Sequence, residues 1–266
     1  MKNILKCIGW SILYFVITFV VQLGFMMVGI ANGIENEEML NQFALNNNLL
    51  LTILSNIVAI IIFIKIWRKK NKAKECKDTH IKSTKKNFVL LILIAFLYSM
   101  LFLIITYKVS FVGTNDMITS MNYFNSKNQF LGFILYASSI LLVAPIAEEL
   151  LCRGIMISEL NKKFSINKSI IISAVVFGIM HLMAGGVILS IGAIIMGIIL
   201  GIVYNTTKSL RRTILVHGVA NFSDILFLFV CKMNGSNLTI LSILIAITLI
   251  GTLLDYYKNK KAEVKS

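Results

Sequence analysis

Apolar residues run along this chain in blocks of roughly 20, the length a helix needs to cross the hydrocarbon core of a bilayer. Eight such blocks cover roughly 8–30, 48–67, 87–107, 129–150, 168–186, 187–206, 212–231 and 237–256. They are continuous, whereas the strands of a membrane barrel alternate apolar with polar residues. The spacing therefore predicts an all-α membrane protein with about eight transmembrane helices, because a helix satisfies its own backbone where no water can. The fifth and sixth blocks almost touch, and Gly185-Gly186 between them allows a tight backbone reversal. The first block follows Met1-Lys2-Asn3 and continues to about Ile30. That is longer than the apolar region of a signal peptide, so a retained span is expected. The polar stretch 31–47 is expected to form a short surface helix and 68–86 a basic loop. No repeat or second domain interrupts the pattern, which places 1–266 in a single multi-pass membrane domain.

Composition agrees: the chain is 57% hydrophobic and only 14% charged, which excludes an ordinary soluble domain. The formal charge of +14 would point to nucleic acid in a soluble protein. Here the basic residues lie in the connections, where they set topology and meet anionic lipid, so no nucleic-acid partner is expected. One set of connections carries Lys2 and Lys6, the stretch 68–86, Lys162 with Lys163 and Lys168, Lys208 with Arg211 and Arg212, and the terminal lysines 258–265. The other set carries Glu35, Glu37, Glu38 and Asp116, with only Lys108, Lys127 and Lys232. Positive residues stay inside, so a cell-membrane protein with both termini cytoplasmic and an even number of spans is expected. The four cysteines, Cys7, Cys76, Cys152 and Cys231, form no C-x-x-C pair and suggest neither a zinc knuckle nor a disulfide framework.

Chemistry enters where charge is expensive. Glu148, Glu149 and Arg153 follow an apolar run, and a charge near the centre of a span costs roughly 2.5–3.5 kcal/mol. Glu149 and Arg153 are four apart and share a helix face in the favourable order. Glu148 is turned by about 100° from Glu149, so one carboxylate pairs while the other faces elsewhere. Pro145, the only proline, removes a backbone donor just before the glutamates and is expected to free carbonyls there. His181 lies four after Phe177, and His217 lies four before Asn221 on a face kept small by Gly218 and Ala220. Each alone reads as helix glue. Together, Glu148, His181, His217 and Asn221 come from three spans and can line one polar cavity. A carboxylate and an imidazole can deprotonate a water. A second imidazole and an amide can donate to an oxyanion. Two histidines and a glutamate could equally hold a catalytic zinc, although the spacing differs from the H-E-x-x-H helix. Ala193, Gly197 and Gly201 form a small-residue stripe suited to close helix packing. His80 sits in the basic loop and is not a candidate.

Glu148-Glu149-x-x-x-Arg153, Phe177-x-x-x-His181 and His217-x-x-x-Asn221, in that order on successive spans, resemble the CPBP family of CAAX-prenyl endopeptidases and bacteriocin-processing (Abi) proteins. The resemblance covers roughly 129–231, which it marks as a catalytic core. It implies a CAAX-endopeptidase-like helical bundle and an intramembrane endopeptidase acting on a membrane protein or peptide. In it Glu148 and His181 activate water, His217 and Asn221 form the oxyanion site, and Glu149 and Arg153 support them. A glutamate mechanism without cofactor is favoured over a zinc enzyme, because Asn is a poor metal ligand and a good oxyanion donor. The family's bacterial branches suggest bacteriocin maturation or self-immunity. The alternatives are a non-catalytic immunity or partner-binding membrane protein, and a transporter. A transporter would carry polar residues in both halves of the chain, and here they concentrate in one.

Overall fold

Every long apolar block becomes a helix. In order these are α1 (Lys2–Ala31), α2 (Glu37–Asn46), α3 (Asn48–Asn71), α4 (Lys85–Lys108), α5 (129–160), α6 (Ile166–Thr207), α7 (Leu210–Val230) and α8 (Gly235–Lys265). This computed structural model describes residues 2–71, 85–108, 129–231, 233 and 235–265, and no strand occurs among them. His80, Cys76, Asp116, Lys127 and Lys232 lie outside the described residues. Seven helices among the described residues are long and apolar enough to cross a membrane. The eighth expected span is the first arm of α6, Ile166–Leu182, which is shorter.

The expected surface helix at 31–47 is α2. Its N-cap, Asn36, accepts a hydrogen bond from the Glu38 backbone N–H at 2.7 Å, and Glu37 and Glu38 face the positive end of the helix dipole. The reversal between the fifth and sixth blocks falls at Gly185 and Gly186. Gly186 has φ +69°, a conformation that costs a side-chain-bearing residue dearly. The two arms of α6 then lie against each other. Ser190 Oγ donates to the Gly178 carbonyl at 2.8 Å, and a Cβ on Gly197 would sit 3.0 Å from Ala174. The small-residue stripe thus packs α6 against itself.

One helix departs from expectation in length. The hydropathy of the fourth block fades near 150, yet α5 continues to Leu160. Arg153 and Glu159 interrupt the apolar run, but both are buried and paired. Glu159 is met by Lys6 of α1 at 2.8 Å, Lys70 of α3 at 3.2 Å and Lys162 at 2.7 Å. This carboxylate ties the start of α1 and the end of α3 to the end of α5. At the opposite extreme, Phe19 and Ile247 are about 60% exposed. Such side chains need lipid around them, where an outward apolar face carries no penalty. The main core gathers around the second half of α5, with Phe63 of α3 and Phe177 of α6.

Candidate active site

The middle of α5 is not a regular α-helix. Ser139–Val143 and Leu150–Ile157 are π-helical turns flanking an α-helical Ala144–Glu149. Such wide turns recur at functional sites because they re-aim side chains. Pro145 explains the first of them. The Ala144 N–H reaches back five residues to the Ser139 carbonyl, and the next bond in that register would join the Pro145 nitrogen to Ile140. Proline has no N–H to give. The expected free carbonyl is present, and it is taken by another helix: Asn221 Nδ2 of α7 donates to the Ile140 oxygen at 2.8 Å. Gly218, one turn earlier on α7, makes that approach feasible. A Cβ there would lie 2.5 Å from the Leu141 oxygen.

This close contact brings His217 onto the glutamates. Glu149 Oε1 accepts from Arg153 Nη1 at 2.7 Å and from His217 Nδ1 at 2.9 Å. Arg153 Nη2 donates onward to the Gly197 carbonyl of α6 at 2.8 Å. Glu149 and Arg153 are 0% and 1% exposed, so Arg153 does not snorkel. Glu148 is the more open carboxylate at 14%, and its Oε2 stands 3.7 Å from His217 Nε2. That gap is too long for a direct hydrogen bond, and one of the two must carry a proton or a water must bridge them. His217 therefore stands between two carboxylates with its two nitrogens addressed to different ones. The other oxygen of Glu149 and Nε of Arg153 have no protein partner.

His181 approaches from α6. Its Nδ1 donates to the Phe177 carbonyl at 2.8 Å, which leaves Nε2 as the acceptor. The Phe177 ring lies against both imidazoles, with its centroid 4.4 Å from that of His181 and 6.0 Å from that of His217. The Arg153 guanidinium lies over the same ring at 5.2 Å. Phe177 is therefore the shared wall of the cluster, in cation–π contact with its arginine.

The structure thus joins Glu148, Glu149, Arg153 and His217 directly. His181 reaches this group only through its contact with Phe177, and Asn221 is seated on the backbone of α5. Among the described residues no three His, Cys, Asp or Glu side chains group closely enough to hold a metal ion. The His181 Nδ1 bond to its own helix would leave Nε2 free for a metal, but with no third ligand grouped beside it the residues do not fit a zinc ion as they stand. Two polar features escaped the sequence reading. Tyr14 Oη of α1 donates to Asn56 Oδ1 of α3 at 2.7 Å, and Asn56 is 3% exposed. Asp224 lies seven residues after His217 and so on the same face of α7, a spacing that was available in the sequence.

A multi-pass membrane protein whose acids and imidazoles converge inside the helix bundle is the class these features define. Residues 128–223, which carry the whole cluster, match the family model described as type II CAAX prenyl endopeptidase, Rce1-like. The match supports the CPBP, or CAAX protease, family for this chain, and at family level an intramembrane endopeptidase of the CAAX type. No curated protein and no solved structure matches the chain.

Proposed function

We propose that the protein hydrolyses a peptide bond of a membrane-associated protein or peptide, using a water activated by Glu148 and His181 and an oxyanion site built from His217 and Asn221. The observation that carries this reading is the bridge from His217 to both glutamates. In a low-dielectric interior a cluster of charges must balance, since an uncompensated charge there is expensive. Glu148, Glu149 and Arg153 leave one negative charge over. A His217 protonated on both nitrogens neutralises it and turns Nε2 into a donor. When substrate enters beside Glu148, that N–H becomes available to a carbonyl oxygen gaining negative charge. Asn221 has a second amide hydrogen beyond the one given to Ile140, and it supplies the other donor. Glu148 is the carboxylate open enough to meet a water, and His181 offers an unprotonated Nε2 to share the proton. Glu149 and Arg153 hold the His217 ring in place and do not touch substrate.

The catalytic core is 129–231 within a single membrane domain, in the cell membrane with both termini cytoplasmic. The physiological role in this reading is bacteriocin maturation or self-immunity. A second reading is a non-catalytic immunity or partner-binding protein. It is favoured by the bond between Asn221 and the Ile140 carbonyl, which serves helix packing whether or not turnover occurs. One experiment separates them. Purified protein in lipid is assayed on membrane peptides with and without a chelator, beside Glu148→Gln. Hydrolysis that survives chelation and disappears in the variant is expected. Equal hydrolysis by the variant rejects the mechanism, and Glu148→Ala cells still protected in a bacteriocin challenge favour the second reading.

A further inference from the structure

Glu159, the buried carboxylate at the end of α5, gathers more charge than it can cancel. Lys6 meets its Oε1 at 2.8 Å, while Lys70 and Lys162 share its Oε2 at 3.2 and 2.7 Å. Three positive charges converge on one negative charge, and among the described residues no other carboxylate pairs with these lysines. Crowding the ammonium groups in this way is repulsive unless a further anion joins them. Each has given one N–H to Glu159 and has two more to give. Lys6 and Lys162 are 47% and 57% exposed, so their remaining donors reach the surface. Asn3 Nδ2 also donates to the Glu159 carbonyl at 2.9 Å, which fixes the start of α1 on the same turn. The carboxylate therefore holds three flexible side chains in one arrangement, which a solitary surface lysine lacks.

Both tryptophans of the chain stand beside this cluster. Trp10 is one turn beyond Lys6, and the Lys70 ammonium lies 5.3 Å from its ring centroid. Trp67 is three residues before Lys70 and packs on Gly154 of α5, where a Cβ would lie 2.9 Å from the indole. Tryptophan collects at the level of lipid headgroups, so the lysines stand where headgroup phosphates are. Leu5, Ile8 and Ile12 are exposed and share one face of α1. They form an apolar track that starts next to Lys6 and runs away from the lysines along the span. An acyl chain can use such a track, and a free anion cannot.

We propose that Lys6, Lys70 and Lys162 form a binding site for the phosphate of an anionic phospholipid, with an acyl chain along Leu5, Ile8 and Ile12. The lipid phosphate supplies the missing negative charge and ties α1 and α3 to α5, the helix that carries both glutamates. The site differs from the general attraction of basic segments to anionic membranes in depending on these three lysines and not on net charge. It is independent of the endopeptidase reading.

The full-length protein is placed in phosphatidylcholine nanodiscs that contain a small mole fraction of lipid with brominated acyl chains, which quench tryptophan on contact. Brominated phosphatidylglycerol is compared with brominated phosphatidylcholine. The anionic lipid is expected to reach half-maximal quenching at a mole fraction lower by about tenfold, in line with two or more lysines meeting one phosphate. Lys6→Gln with Lys162→Gln should erase most of that preference, while Lys70 still pairs Glu159. Lys258→Gln with Lys261→Gln removes the same charge from the exposed end of α8 and should leave the preference intact. Equal quenching by the two lipids in the wild-type protein overturns the proposal, and this outcome stands even if a variant fails to fold. An equal loss in both lysine pairs also overturns it, because it would show diffuse attraction and no site. Glycerol phosphate in excess, with ionic strength matched by chloride, should leave the quenching in place. Complete displacement by that soluble headgroup would assign the cluster to a free anion and overturn the lipid assignment.

Discussion

Glu148 and Glu149 are neighbours in sequence with opposite surroundings. Glu149 is sealed from solvent and accepts from both Arg153 and His217, while Glu148 keeps an open edge. Their amide variants should therefore fail differently. Glu148→Gln removes the proton acceptor we propose and keeps the shape, so hydrolysis should fall by at least ~100-fold, the lower range of what a general base contributes. Its thermal midpoint should stay close to wild type. Glu149→Gln leaves Arg153 buried with no negative partner, and breaking such a pair costs about 3–5 kcal/mol. It should lose hydrolysis and also melt well below wild type in detergent. Equal melting of the two variants would show that Glu149 is not the structural member of the pair. The division between one paired and one free glutamate was legible from the spacing of Glu149 and Arg153. That His217 would join the paired one was not, because sequence spacing says nothing of contacts between helices 68 residues apart.

At the level of the element, the unusual object is the π-helical turn before Pro145, held by a side chain from α7. Pro145 made a disturbed helix predictable. What satisfies the freed carbonyl depends on the inter-helix approach that Gly218 permits; the small face was legible in the sequence, but which helix and which carbonyl would meet it was not. The bond from Asn221 to Ile140 stands in for the missing N–H, and this makes a double-mutant cycle informative. Asn221→Leu should destabilise the protein by about 1–3 kcal/mol, since it leaves a part-buried carbonyl without a donor. Pro145→Ala restores a backbone N–H next in register to that carbonyl. The pair Asn221→Leu with Pro145→Ala should therefore recover most of the lost stability, read as the midpoint of thermal unfolding. Hydrolysis should not return, because the oxyanion donor we propose is still missing. Recovery of both together would assign Asn221 a packing role alone. Additive destabilisation would remove the proposed link to Pro145.

For the whole molecule, topology reduces to how often the chain reverses. The apolar blocks made seven long spans and the shorter arm Ile166–Leu182 legible, and Gly185-Gly186 located the reversal between the fifth and sixth blocks. The charged hub at Glu159 was not legible. Lys6, Lys70 and Lys162 are dispersed along the chain, and each alone looks like a solvated surface lysine. Once formed, the hub places the start of α1 on the same face as the ends of α3 and α5. Thr206 at the end of α6 stands 3.4 Å from Tyr256 late in α8, and Leu210 at the start of α7 packs into the same core as Ile4 and Trp67. These contacts put the C-terminal part of α8 on the face of the N-terminus. The result is independent of how deeply the shorter first arm of α6 enters the bilayer, because the reversal at Gly186 returns the chain whether or not its tip reaches water. An impermeant maleimide should therefore label Lys2→Cys and Lys261→Cys from one side of the membrane and Glu37→Cys from the other. The background is a protein with Cys76 and Cys231 replaced by Ser; Cys7 and Cys152 are buried and should not react. In the orientation we propose from the charge distribution, the side shared by the first two is the cytoplasm. Labelling of Lys261→Cys from the same side as Glu37→Cys would mean an odd number of crossings. The two arms of α6 could not then form a hairpin, and Arg153 would have no Gly197 carbonyl within reach.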